Sequence, residues 1–137
     1  MTPQHLFRLG GSTLLLLTLL LTSCQAAEHT TDSLVEVKQA LKDGKAVLID
    51  LREQDEWNAG HLKAATLVPL SRLPKLAASG ELSQQVPKEK VVYGHCAAGR
   101  RVLKAAQLLR QQGYDYRPLK QGYEDLLKAG FEPAKTN

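Results

Sequence analysis

Cysteine is scarce in this chain: Cys24 and Cys96 are the only two among 137 residues. Two thiols cannot staple a disulfide-dense scaffold or complete a four-thiolate metal site. Aromatic side chains make up 5% of the sequence, too few for a base-stacking platform along single-stranded nucleic acid. Proline (6) and glycine (10) are not enriched and no fixed-period repeat occurs, which excludes collagen-like, low-complexity and solenoid architectures. The net charge of +4 is spread thinly, with no like-charged run longer than Arg100-Arg101, so no nucleic-acid-binding face is implied. An apolar stretch of about 20 residues, the length that spans a bilayer, is also missing. What remains is a chain of 43% hydrophobic and 23% charged residues, enough for one compact α/β-sized domain.

The first 24 residues read as an address. Arg8 is the only formal charge before the apolar block Leu14 to Leu21, which Thr18 interrupts. A basic start, a short apolar core and small residues after it describe a secretory signal peptide. The ending Leu21-Thr22-Ser23-Cys24 resembles the lipobox of bacterial lipoproteins. That resemblance implies cleavage before Cys24, a diacylglycerol on its thiol and stable anchoring, since each buried CH₂ contributes about 0.8 kcal/mol. The expected division is a leader over 1–23, a lipidated Cys24 and polar tether over 24–32, and a domain over 33–137. The implied location is the bacterial cell envelope, lipid-anchored and facing the periplasm. Gln25, not Asp, follows the cysteine, which resembles outer-membrane rather than inner-membrane sorting if the host is Gram-negative.

Beyond the tether, helical and extended patterns alternate. Ser33 and Glu36 fit a capping box, and Leu34, Val37, Ala40 and Leu41 share one helical face before Gly44. Ala46 to Ile49 is a short apolar run, as expected of a strand buried on both faces. A second strand is expected within Ala64 to Leu70, a third at Val91 to Tyr93 and a last one within Tyr114 to Leu119. Pro74, Gly80 and Pro87 limit helices between 71 and 90 to about two turns. A helix over 100–112 places Val102, Leu103, Ala106 and Leu109 inward with Gly113 as its C′ residue, and a terminal helix covers 123–129. This alternation predicts an α/β domain: a central, mostly parallel sheet of about five short strands with helices on both faces.

Cys96 falls where a buried strand ends, a small-residue loop turns and a helix begins. Ligands bind outside the carboxyl ends of strands in such sheets, and a helix N-terminus presents unpaired N–H groups and partial positive charge. Ala97, Ala98 and Gly99 leave room for the backbone to curl around the sulfur. Arg100 and Arg101 add positive charge that favours a thiolate.

The run Cys96-Ala97-Ala98-Gly99-Arg100-Arg101 resembles the C-x-x-G-x-R active loop of rhodanese-type sulfurtransferases. Asp50-Leu51-Arg52, then Glu56-Trp57, then Gly60-His61-Leu62 and Ala65 match that family's upstream pattern in type and order. The resemblance runs from about Val47 to Pro133. It departs near the end, where many members carry Gly-Gly, an aromatic residue and Trp. This chain has Gln121-Gly122-Tyr123 and Leu126, positions that support packing near the active loop.

The resemblance implies a rhodanese-like fold and ping-pong transfer of sulfane sulfur. Cys96 takes sulfur from a small anionic donor such as thiosulfate, and the Cys96 persulfide yields it to cyanide or a thiol. The loop 97–101 binds substrate, with Arg101 bracing the loop and Arg100 at its mouth. Alanine at 97 and 98, where thiosulfate-preferring members carry cations, weighs against a thiosulfate preference. Asp50, Arg52, Glu56 and His61 are expected to support the loops. His95 adjoins Cys96, but neighbours on an extended segment face opposite ways. No cofactor is implied, and His29, His61, His95 and Cys96 lack metal-ligand spacing. A periplasmic thiol-redox protein is the partner expected for an exposed thiol outside the cytosol.

Three other readings stand beside this one. A phosphatase or arsenate reductase loop, His-Cys-x₅-Arg, would need arginine at position 102, which is Val102. A dithiol exchanger needs C-x-x-C, and Gly99 stands where the second cysteine would be. A rhodanese-shaped binding module without chemistry usually resembles the family with the cysteine replaced, and here Cys96 is present.

Overall fold

The computed structural model describes residues 26–135; the leader, Cys24 and Gln25 lie outside them. In chain order the elements are α1 (Leu34–Lys42), β1 (Ala46–Asp50), α2 (Gln54–Ala59), β2 (Ala65–Leu67), α3 (Leu73–Ser79), α4 (Glu81–Gln85), β3 (Val91–His95), α5 (Arg101–Gln111), β4 (Asp115–Pro118) and α6 (Tyr123–Lys128). The strands form a sheet in the order β2-β1-β3-β4, parallel at every pairing. The described residues thus hold four strands, close to the five expected.

Side chains alternate across this sheet and divide the core in two. Ile49, Leu51, Val92 and Cys96 pack with Leu73 and Leu76 of α3, Leu82 of α4, and Val102, Ala105, Ala106 and Leu109 of α5. Ala46, Leu48 and Tyr93 pack on the other face with Val37 of α1, Leu126 of α6 and Leu119. A strand buried on both faces reads as an unbroken apolar run, and β1 (Ala-Val-Leu-Ile-Asp) does so. The Ser33–Glu36 capping box is present: the Ser33 side chain accepts from the Glu36 N–H while the Glu36 carboxylate accepts from the Ser33 N–H.

Two features depart from the sequence pattern. The short helix α2 has no buried residue, so it leaves no apolar period to find. Residues 28–32, read as tether, lie against the domain: the Thr30 N–H donates to the Pro118 carbonyl at 2.7 Å. Asp32 accepts from the Tyr93 hydroxyl at 2.6 Å and from Arg117 at 2.8 Å. No helix among the described residues is long and apolar enough to cross a membrane.

Candidate active site

The sheet's register assembles the site at its carboxyl end. Asp50 pairs with His95, the last residues of β1 and β3, so Cys96 leaves the sheet at its centre. Cys96 is 1% exposed and free, while Ala97, Ala98 and Arg100 around it are exposed. None of the backbone N–H groups from Ala97 to Arg101 donates to a backbone carbonyl among the described residues. Gly99 has φ +73° and Arg100 a right-handed helical conformation, φ −92° and ψ −44°. Successive residues of opposite hand turn their N–H groups toward one side, the arrangement that cradles an anion. A side chain at Gly99 would also run into the Lys120 carbonyl.

The segment after β4 holds the loop from outside. The Tyr123 N–H donates to the Cys96 carbonyl at 2.9 Å. Gly122 lies so close to Ala97 that a Cβ there would overlap the Ala97 carbonyl. The packing role given to Gln121-Gly122-Tyr123 is therefore carried by Gly122 and Tyr123. Beneath the loop, the Tyr116 hydroxyl donates to the Val102 carbonyl at 3.0 Å. Burial and the neighbouring Cys96 push the Tyr116 phenol well above its ordinary range.

Three of the four residues read as support fall into two groups. Arg52 donates from Nε and Nη2 to Asp50 at 2.8–3.1 Å and from Nη2 to the Gly60 carbonyl at 2.8 Å. Its guanidinium lies 4.1 Å from the Tyr123 ring centre, where a cation is attracted to the aromatic face. The buried Asp50–Arg52 pair thus joins β1, the end of α2 and the segment that carries Tyr123. Glu56, on α2, takes a fork from Arg101: Nη1 to Oε2 at 2.5 Å and Nη2 to Oε1 at 2.7 Å. This pairing, helped by the Glu53 N–H at 2.8 Å, holds the Glu56 carboxyl at about 2. Arg101 is held charged by Glu56 and, less strongly, by Cys96. His61 is apart from both groups: its ring stacks on Trp57 at 3.7 Å, and Nδ1 lies 3.1 Å from the Trp57 carbonyl.

His95 faces away from the thiol. Its side chain projects on the Leu48–Tyr93 side of the sheet, by strand alternation, and Cys96 on the other. The imidazole is wholly buried, and burial above all lowers its pKa. The 3.6 Å separation from Asp50 is therefore between a carboxylate and a neutral ring. Two surface grooves, of about 530 and 420 Å³, are lined by neither Cys96 nor its loop; His29 borders the larger.

A buried thiol at a parallel strand's end, a loop of unpartnered amides and an arginine forked onto an upstream glutamate repeat the order Asp-x-Arg, Glu, Cys-x-x-Gly-x-Arg in space. Residues 33–129 match the family described as the rhodanese-like domain. The chain belongs to that family. Human thiosulfate:glutathione sulfurtransferase is 36% identical over 93 residues, covering 61% of this chain and 80% of that protein. The probable adenylyltransferase/sulfurtransferase MoeZ of Mycobacterium tuberculosis is 31% identical over 93 residues. That match covers 67% of this chain but only 23% of the length of MoeZ. Among solved structures, the human single-domain sulfurtransferase TSTD1 superposes with a TM-score of 0.63 at 29% identity, covering 72% of this chain and 95% of that one. The Helicobacter pylori protein hp1203 gives 0.56 at 37% identity, covering 69% and 87%. The rhodanese-like family thus includes relatives named for sulfur transfer, at modest identity to this chain.

Sequence reading missed two contributors to this rhodanese-like site. Tyr116 carries no motif signal, because an aromatic residue in a short strand reads as core. His29 sits in a polar, aperiodic segment, yet its Nε2 lies 2.7 Å from the Gly99 carbonyl oxygen.

Proposed function

We propose that the protein transfers sulfane sulfur through a persulfide on Cys96. The observation that carries this is the loop itself: five successive N–H groups without backbone acceptors follow directly on a thiol beside Arg101. Such a cradle suits a sulfur anion, because the donors are fixed before the charge arrives. In the first step the Cys96 thiolate attacks the outer sulfur of a donor such as thiosulfate. The donor's sulfur–sulfur bond breaks and sulfite leaves with the electron pair. In the second step a thiolate or cyanide attacks the outer sulfur of the persulfide and expels the Cys96 thiolate, which restores the starting state. Exposed Ala97 and Ala98 leave their part of the rim low and without charge, with Arg100 as the exposed cation of the loop, which favours small donors over those that need several cations at the rim. Anchored through a lipid on Cys24, the domain would work at the periplasmic face of the cell envelope.

Full-length protein incubated with excess thiosulfate or a glutathione persulfide, then weighed intact, tests this. The expected result is a gain of one sulfur atom, absent in Cys96→Ser and reversed by cyanide with release of thiocyanate. No gain from either donor, with a thiol that still alkylates, would instead favour a rhodanese-shaped binding module.

A further inference from the structure

We propose that residues 28–32 form a strap that completes the active site, and that His29 is a positioning residue for the Cys96 loop. The inference rests on the reading of Cys96 as the reactive thiol. His29 Nε2 stands 2.7 Å from the Gly99 oxygen, across 70 residues of sequence. A carbonyl oxygen only accepts, so Nε2 carries the proton.

The consequence reaches the cradle through one peptide plane. The Gly99–Arg100 bond is trans, so its C=O and N–H point in opposite directions. With the Gly99 oxygen held toward His29, the Arg100 N–H is turned to the other side, among the unpartnered donors of the loop. Donation to the carbonyl also polarises the peptide and strengthens that N–H as a donor. Glycine at 99 makes such a hold useful: its φ of +73° is one of several that glycine visits freely, so the peptide needs an external contact to stay in one orientation.

His29 is held in turn by the sheet rather than by the loop it orients. Thr30 pairs with Pro118 of β4 at 2.7 Å. Asp32 is clamped between Tyr93 of β3 at 2.6 Å and Arg117 of β4 at 2.8 Å. Burial and Asp32 raise the Tyr93 phenol to about 12, so it keeps its proton and donates across the neutral range. The strap is thus an arm held to the sheet, with its imidazole on the one carbonyl that sets the direction of an active-loop amide.

The test reads thiol reactivity in the full-length protein. Iodoacetamide labelling of the Cys96 peptide is followed by mass spectrometry from pH 5 to 10 in wild type, His29→Ala, His29→Gln and Thr30→Pro. The groups facing Cys96, Arg101 from α5 and Tyr116 from β4, are unchanged throughout. His29→Ala is expected to slow labelling at pH 7 roughly fivefold, the scale of one hydrogen bond, and to move the midpoint of the rate–pH curve upward. His29→Gln, with an amide N–H that can reach the Gly99 oxygen, should restore most of the rate. Thr30→Pro, which lacks the N–H that meets Pro118, should slow labelling although His29 is present. Identical rates and midpoints in wild type and His29→Ala overturn the proposal, as does a fall in melting temperature alone. Labelling needs no sulfur donor, so it reads the strap even if the protein takes up no sulfur. Because Cys96 is 1% exposed, rates are compared among the folded variants and not against the unfolded chain.

Discussion

The Arg101 guanidinium and the Glu56 carboxylate meet as a two-pronged fork, at 2.5 and 2.7 Å, and tie the first turn of α5 to α2. Each side chain is about a quarter to a third exposed, so water screens the pair in part. Glu56 titrates at about 2 in the fold against 4.5 for a free side chain. A depressed carboxyl contributes stability above its unfolded pKa and loses it as pH falls toward the folded one. The contribution should therefore be complete at pH 6 and fade between about pH 5 and 2. Glu56→Gln should cost about 1–2 kcal/mol at pH 6 after the discount for exposure and almost nothing at pH 2.5. Urea unfolding of both proteins at the two pH values measures this; a constant difference would mean that the carboxylate's charge is not what matters.

The two neighbouring arginines should separate kinetically. Arg100 is exposed, whereas Arg101 is forked onto Glu56 and touches the thiol's field. Arg100→Ala should raise KM for an anionic donor about threefold to tenfold with kcat nearly intact, because it removes attraction felt equally before and during reaction. Arg101→Ala should lower kcat at least tenfold and loosen the loop. Steady-state kinetics with thiosulfate and cyanide read both, and equal losses of kcat would contradict the division.

The sequence carried most of this site for a physical reason. Gly99 answers a local need, a left-handed turn at φ +73°, whereas no strand end demands a thiol and no helix start an arginine; Cys96 and Arg101 were legible because all three lie within six residues. The central strands β1 and β3 were legible because burial on both faces leaves apolar runs, as in Ala46 to Ile49, whereas the edge strand β4 shows itself only by alternating buried and more exposed residues. Helix α2 was not, because it buries nothing and shows itself only through the Glu53–Glu56 capping pair. The strap was hidden for another reason. Its hold on the domain is made by a backbone N–H and three polar side chains, and polar residues without a period read the same whether free or docked. Tyr116 and His29 act across long sequence separations, which no local pattern records.

His95 should make the protein acid-sensitive. The imidazole is fully buried, neither ring nitrogen has a hydrogen-bond partner among the described residues, and burial lowers its pKa. The folded state then resists a proton that the unfolded chain accepts below about pH 6.5. Its stability is thus intact above that pH and falls as pH drops, by up to about 1.4 kcal/mol per unit. His95→Leu should unfold at a similar urea concentration at pH 7.5 and at a higher one than wild type at pH 5.5. Parallel pH curves would show that the folded imidazole is charged, paired with Asp50 across 3.6 Å.

Gly122 offers a separation of packing from chain stiffness. Its φ of −82° suits any residue, so alanine there meets no backbone penalty of its own. The cost comes from contact: the new methyl would overlap the Ala97 carbonyl and lie 3.1 Å from the Ala98 nitrogen. Both are backbone atoms of the active loop and cannot swing aside as a side chain would. Gly122→Ala should therefore displace the loop, cost about 1–3 kcal/mol as overpacking does, and slow sulfur uptake at least tenfold. Gly113→Ala makes the opposite comparison. Its φ is +87° with open space around the site, so alanine costs about 1–2 kcal/mol of backbone strain with nothing pushed toward Cys96. Rates of sulfur uptake per folded molecule, taken with each variant's melting temperature, separate the two. Similar losses of stability should accompany a disabled loop in Gly122→Ala and an unaltered one in Gly113→Ala. If both variants keep full rates, the contact between Gly122 and Ala97 does not shape the thiol's cradle.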